Sequence, residues 1–588
     1  MHASAIQHFG AGSGAEQKRT SPSYKSIRPR LRASPLVLEA ETSATLNRRS
    51  GRASDRHARQ AGFDAMNLPH ASVEMDEGDH LLGNASGASD TPLGIAITQA
   101  KTVRIGRSNG EDGDSVDETR PLAFHLDVEG EDEDASLAKE WFGFPVGLYV
   151  LAGTELWERF SYYGMKALLV LYMNDGLFEE DRWQGVYGLP TLVAIYGGLD
   201  DTSPLHVRQN RVQQVSSSIY GLYTSLVYLT PIVGGLLADR KFGQYRVVVI
   251  GGFVIIVGHV LMSFHSTFLL ALLFIVVGTG GFKSNISTQV GRLFHTEDSR
   301  RDTAFSIFYC GINLGAFIAP LVTGVLHHGL GFGAGFSAAA VGMAMGMVLY
   351  IGGQKYVPGD KTEKSTHFSD TWGILAQNKR RVLSIMTMSS LTVVFWAVYE
   401  QKSNTLALFE DREVNRYVGG LHVPTEWFQS IDALFILAFT PLIGTYWRYQ
   451  NWRNQEPCPE TKMGIGYFFA SASYLVLLLP VLLFSDVGMV WIILMIAVLT
   501  VGELYLSPIG LSFVSQNAPP QLGSFLMGVW FLASFAGNYL AGFLGTFYTK
   551  MGHAWFFALL SLLAILNGAM VLLLRPWIQR GLQSTSIR

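Results

Sequence analysis

Apolar runs long enough to cross a bilayer recur along the chain from about Phe142 onward, each broken by a polar stretch. Six of them, at about 142–173, 212–238, 245–264, 268–290, 303–327 and 333–353, precede a polar linker of about 30 residues. Six more follow, at about 383–404, 427–448, 464–484, 488–514, 523–549 and 553–575. This pattern predicts an all-α polytopic membrane protein of about 12 spans, in two bundles with a site between them. The layout is a tail over 1–135, a first six-helix bundle over 142–353, a cytoplasmic linker over 354–382, a second bundle over 383–576 and a C-terminal tail over 577–588. The connection over 174–211 is long for a compact bundle, and its apolar middle, Val186 to Leu199, suits an interfacial helix better than a span.

The first run breaks the pattern. Glu155, Glu158, Arg159, Tyr162, Tyr163 and Lys166 recur within it at steps of three and four, so a helix there carries one polar stripe roughly 16 Å long. A lone charge at mid-bilayer costs roughly 2.5 to 3.5 kcal/mol, so four on one helix require mutual pairing or a wet cavity. An ion-paired structural helix is the plain alternative, and a functional stripe the stronger reading.

Composition agrees with the pattern: 48% of residues are hydrophobic and 15% charged, too apolar for an ordinary soluble protein. The net charge of −3 averages a charged tail with an apolar body, so it points to no nucleic-acid partner. Cys310 falls in an apolar run and Cys458 in a polar loop, which gives neither a disulfide framework nor a metal-ligand spacing. The chain has no H-E-x-x-H, Walker A or G-x-S-x-G motif, so neither an enzyme nor an ATP-driven pump is expected, and transport would draw on an ion gradient.

Residues 1–135 lack a sustained apolar period, with a basic first half (Lys18, Arg19, Lys25) and an acidic second half (Asp112, Asp114, Glu131). Such a composition reads as a solvated tail, and Met66 or Met75 could each begin a shorter chain. Cations concentrate in alternate loops, with Arg240, Lys241 and Arg246, then Arg292, Arg300 and Arg301, then Lys379, Arg380 and Arg381. The positive-inside rule therefore predicts both termini to be cytoplasmic.

The stripe, with what surrounds it, resembles the proton-dependent oligopeptide transporter family, whose first helix carries E-x-x-E-R-F-x-Y-Y-G. Glu155, Glu158, Arg159, Phe160, Tyr162, Tyr163 and Gly164 match every fixed position. Further family-like segments follow in order: Tyr228 to Pro231, Gly278 to Asn285, Phe308 to Gly315, Phe395 to Gln401 and Gly502 to Pro508. Gly235 to Arg240 looks like the loop motif of the major facilitator superfamily, which implies that fold.

The resemblance implies a proton-coupled symporter importing di- and tripeptides by alternating access. The proton would be the coupling ion, no other cofactor or metal is expected, and a monomer would be the transport unit in a bacterial inner membrane. Glu155, Glu158, Arg159 and Glu400 would couple protons. Lys166 and Lys283 would take the peptide carboxylate, Tyr163, Tyr228 and Tyr309 its backbone, and Asn313 with Glu503 its ammonium. Trp396 and Trp530 would line side-chain pockets, and Ser507 and Asp432 complete the substrate set. The cations Arg159, Lys166 and Lys283 lie in the first bundle and the acids Glu400, Asp432 and Glu503 in the second, a polarity suited to a zwitterion. Lys166 is expected to pair with Glu400, and Lys283 with Glu503, when the outer side is closed.

The chain departs from the family at three positions. Lys166 stands where many members carry Arg, Asp432 where a neutral Asn is expected, and Gly221 where animal members carry His. Asp432 places a second acid beside Glu503, so one of the two is expected to hold a proton at rest. The alternatives are a transporter of another small solute (nitrate, an amino acid or a peptide-like drug) and a peptide receptor that does not transport.

Overall fold

The computed structural model describes residues 139–583 apart from 179–181, 197, 200–203, 296, 297, 299, 361–370, 485, 520 and 521. The predicted tail over 1–135 lies outside them. Twelve long helices carry the described chain. The first half holds α1 Val146–Leu171, α2 Leu205–Leu237, α3 Gln244–Met262, α4 Phe268–Arg292, α5 Arg300–Leu330 and α6 Phe332–Gly352. The second holds α7 Lys379–Tyr399, α8 Trp427–Trp452, α9 Pro459–Leu483, α10 Met489–Asn517, α11 Gly523–Gly545 and α12 His553–Gln583. Among the described residues, eleven helices are long and apolar enough to cross a membrane. The one that falls short is α1, because the stripe puts four charges into its middle.

Several boundaries differ from the apolar pattern by a few residues, and three bear on the layout. The tail expected over 577–588 is helical as far as Gln583, since α12 continues past its apolar run and still buries Ile578. Helix α7 starts at Lys379 rather than at 383, because its first cations extend the helix beyond the apolar stretch. Within 174–211 the helical middle is only Leu189–Ile195, and α2 begins at Leu205, ahead of its apolar run.

In the first half α1 packs on α5 and α6, α3 on α4 and α6, and α2 on α4. In the second, α9 packs on α10 and α12, and α7 on α11 and α12. The halves meet where α2 crosses α11 and α5 crosses α8. At the first crossing Gly221 faces Gly542: a Cβ on Gly221 would stand 2.5 Å from the Gly542 Cα. Backbone touches backbone there, so position 221 has no room for a histidine.

One face of the molecule carries the loops after α1 and α7; call it the upper face. The opposite, lower face carries the cation-rich loops and the linker, where Arg292 bonds Gly359 O at 2.9 Å and Arg246 lies 3.4 Å from Asp360. Polar contacts between the halves run from the centre to the upper face. Gln213 donates to Gly545 O at 2.7 Å, Ser217 to Asn404 at 2.9 Å, and Arg412 pairs with Asp175 at 3.2 Å. The upper face is thus closed by direct contact.

Candidate functional site

Helix α7 ends where the site begins. After Tyr399 the chain tightens into a 3-10 turn, Glu400–Ser403, and restarts as a short helix, Thr405–Arg412. Broken helices at membrane depth free backbone groups and bring side chains to a cavity. Gln429 of α8 holds this break in place, accepting from Ser403 at 2.7 Å and donating to Lys402 O at 2.9 Å.

Three charged clusters result. On α1, Arg159 Nε lies 3.1 Å from Glu155, its guanidinium also bonds Glu158, and its charge sits 5.2 Å from the Tyr162 ring centre. All three charged residues are buried, and neither Glu155 oxygen accepts a hydrogen bond. Glu155 is therefore a carboxylate with vacant acceptor positions beside a fixed cation, the kind of group that can gain and lose a proton.

The second cluster crosses between the halves. Lys166 of α1 donates to Glu400 Oε2 at 2.8 Å, and Tyr220 of α2 donates to the same oxygen at 3.1 Å. Both charged side chains are more than nine-tenths buried. Removing one partner of such a pair costs roughly 3 to 5 kcal/mol, because the other is left charged and unmatched.

The third cluster lies inside the second half. The Tyr399 hydroxyl contacts Asp432 at 3.0 Å and also bonds Glu503; Thr500 donates to Asp432 at 2.9 Å. Lys402 bonds Asp432 and reaches the Tyr399 oxygen at 2.5 Å. The Tyr399 hydroxyl thus bridges the two acids, and the Lys402 ammonium pairs with one of them, Asp432.

This arrangement corrects one expectation. Lys283 does not pair with Glu503: its ammonium stands 4.1 Å over the Tyr228 ring, and no carboxylate among the described residues comes within salt-bridge distance of it. Tyr399 satisfies Glu503 from the neighbouring helix, which leaves Lys283 on an aromatic face. The acidic pole is also less negative than its two acids suggested, because Lys402 belongs to it.

Between the second and third clusters lies a cavity of about 20 Å³, room for about one water, lined by Tyr163, Lys166, Lys402, Ser403, Gln429 and Asp432 among others. Of the expected substrate residues only Tyr163, Lys166 and Asp432 border it. Tyr228, Lys283, Tyr309, Asn313, Trp396, Glu503, Ser507 and Trp530 lie away from its wall. Asn313 Oδ1, Ser507 Oγ and Trp396 Nε1 are nevertheless buried without a hydrogen bond. The sequence reading missed Lys402, Tyr399, Tyr220 and Gln429. Lys402 left a signal, a second charge two residues after Glu400 at the end of an apolar run.

Two six-helix halves that meet around buried, paired charges define a membrane transporter. The model of the POT family matches residues 245–376 and 365–558. A transporter of Bacillus subtilis, YclF, is 31% identical over 507 residues, covering 76% of this chain and 96% of its own. A di-/tripeptide transporter of Lactococcus lactis subsp. cremoris is 31% identical over 505 residues, covering 74% and 96%. The crystal structure of a POT peptide transporter in complex with sulfate superposes with a TM-score of 0.66 at 30% identity, covering 77% of this chain and 99% of that one. The chain belongs to the POT family, the proton-dependent oligopeptide transporters.

Proposed function

We propose that this chain imports di- and tripeptides together with protons, alternating access between its two halves. The observation that carries the reading is the Lys166–Glu400 pair, which joins the halves beside the central cavity at 2.8 Å. It is present when the upper face is closed and must break for that face to open. The cation-rich loops lie on the opposite face, so the positive-inside rule makes the upper face external and both termini cytoplasmic. The relatives in bacteria favour the inner membrane, and because the cavity lies within one chain, a monomer is the transport unit.

In the cycle, a proton on Glu400 neutralises the partner of Lys166 and frees the halves to part above the cavity. Peptide then enters lengthwise. Its carboxylate is drawn to Lys166 and Lys283, with Tyr163, Tyr228 and Tyr309 along its backbone. Its ammonium is drawn to Asp432 and Glu503, with Asn313 beside them. Glu155, Glu158 and Arg159 form a second proton site below. A 20 Å³ cavity holds no dipeptide, so the closed arrangement is a resting state that must widen to load.

The acids at one pole speak against an anion such as nitrate, which has no ammonium to offer them. Proton-driven uptake of labelled dialanine into proteoliposomes tests this function. Accumulation against the gradient, competed by tripeptides and not by nitrate, is expected. Competition by nitrate with no dialanine uptake would refute it.

A further inference from the structure

The upper ends of α5 and α8 meet at a cluster that peptide binding does not use. His327 and His328 stand in the last turn of α5, and Glu426 immediately precedes α8. Gly324 admits the loop: a Cβ there would come within 3.2 Å of the Glu426 Cβ and Oε2 and 3.3 Å of Pro424. Trp427 pins the approach, its indole N–H donating to Leu321 O at 3.2 Å.

Glu426 is 1% exposed. Its Oε1 lies 2.6 Å from His327 Nδ1, and its Oε2 lies 3.5 Å from His328 Nε2. Oε2 is fully buried and accepts no hydrogen bond. Leaving such an oxygen unsatisfied costs roughly 1 to 3 kcal/mol, so it needs a cation facing it, which either a protonated His328 or a metal ion held by both imidazoles would supply. One donor atom from each of the three residues falls within 4.8 Å of the others.

We propose that His327, His328 and Glu426 bind a divalent transition-metal ion of the zinc class, which clamps the two halves together at the upper face. Imidazole with carboxylate is a donor set zinc favours, and tetrahedral bonds of about 2.0 Å set ligand atoms about 3.3 Å apart. The three donor atoms stand within 4.8 Å of one another, with His327 Nδ1 2.6 Å from Glu426, so the imidazoles must rotate to close a site of that spacing. His328 is 39% exposed and gives the ion a path from water. His422, on the hairpin of Tyr417–Val418 with Leu421–His422, brings its ring to 5.7 Å from that of His328 and stands ready as a fourth ligand. The residues come from one helix end and one distant loop, which is why no ligand spacing shows in the sequence.

The consequence rests on the alternating-access reading: the halves must part on this face to admit peptide, so the bound ion inhibits uptake. The test measures Zn2+ binding to the purified chain by competition with a chromophoric chelator, and dialanine uptake with and without Zn2+. One Zn2+ per chain is expected, with at least tenfold weaker binding in His327→Ala, His328→Ala and Glu426→Gln. Inhibition of uptake by Zn2+ should be lost in the same variants. Should His327→Ala fail to fold, Glu426→Gln, which keeps the shape, and His328→Ala, at a half-exposed side chain, decide. Unchanged Zn2+ affinity in those variants overturns the proposal. Zn2+ binding through these residues in a chain that moves no dialanine would support the metal site and overturn the transport reading.

Discussion

The two lysines that line the cavity, Lys166 and Lys402, look alike in chemistry and differ in what they join. Lys166 reaches from α1 across to Glu400, so its pair belongs to both halves. Lys402 bonds Asp432 within the second half, and Tyr399 ties the same cluster to Glu503. A contact between bodies that move apart exists in only one state of the cycle, whereas a contact inside one body persists through all of them. The first is therefore a switch. The second presets the charge of the pole that meets the peptide amino group.

The largest effect should follow from breaking the switch. In Glu400→Gln, proton-driven accumulation of dialanine should fall at least tenfold, while exchange of labelled for unlabelled dialanine across the membrane stays within about threefold, since coupling and not binding is lost. The cost of an unmatched buried lysine, roughly 3 to 5 kcal/mol, is enough to move a two-state balance by that much. Uphill accumulation at the wild-type level would remove Glu400 from coupling.

A smaller effect is expected inside the second half. Lys402→Met leaves Asp432 without its ammonium, so uptake of a neutral dipeptide should drop about fivefold while a lysine-containing dipeptide gains relative to it. Adding Asp432→Asn should restore the neutral substrate, and the cycle of four proteins should give a coupling of about 1 to 3 kcal/mol. Additive losses would show that the two residues act separately.

Overpacking the crossing of α2 and α11 should do less. A Cβ at Gly221 meets the Gly542 backbone at 2.5 Å, and forcing the helices apart costs about 1 to 3 kcal/mol. Gly221→Ala should therefore slow uptake a few-fold and make the upper face more accessible to a water-soluble thiol reagent at introduced cysteines. The smallest change is expected from Lys166→Arg, which keeps the charge facing Glu400. It should retain uphill accumulation within about threefold, whereas Lys166→Met should lose both uphill accumulation and exchange, because the ammonium that draws the peptide carboxylate goes with the switch.

Much of this was legible beforehand because membranes punish charge. The apolar runs located the helices, and the α1 stripe stood out as costly in lipid, so Glu155, Glu158, Arg159 and Lys166 could be singled out without coordinates. The partner of Lys166 followed from resemblance plus charge sign. Lys283 and Glu503 failed by the same logic, because opposite charge says nothing of distance, and a tyrosine hydroxyl on the adjoining helix satisfied Glu503 first. Tyr220 and Gln429 lay on helices whose apolar pattern gave no reason to single them out. Lys402 sits past the end of α7, where a cation ordinarily reads as solvated; the 3-10 turn that carries it inward is set by packing against α8. His327, His328 and Glu426 come together only through the α5–α8 crossing.

The central claim is that the Lys166–Glu400 pair holds the upper face closed, and a distance across that face tests it most directly. Tyr187 and Tyr417 are exposed on the upper loops of the two halves. Spin labels at Tyr187→Cys and Tyr417→Cys, with Cys310 and Cys458 replaced, would report their separation by pulsed electron resonance. The account predicts a distribution that shifts to longer distances in Glu400→Gln at neutral pH. An unchanged distribution would contradict it.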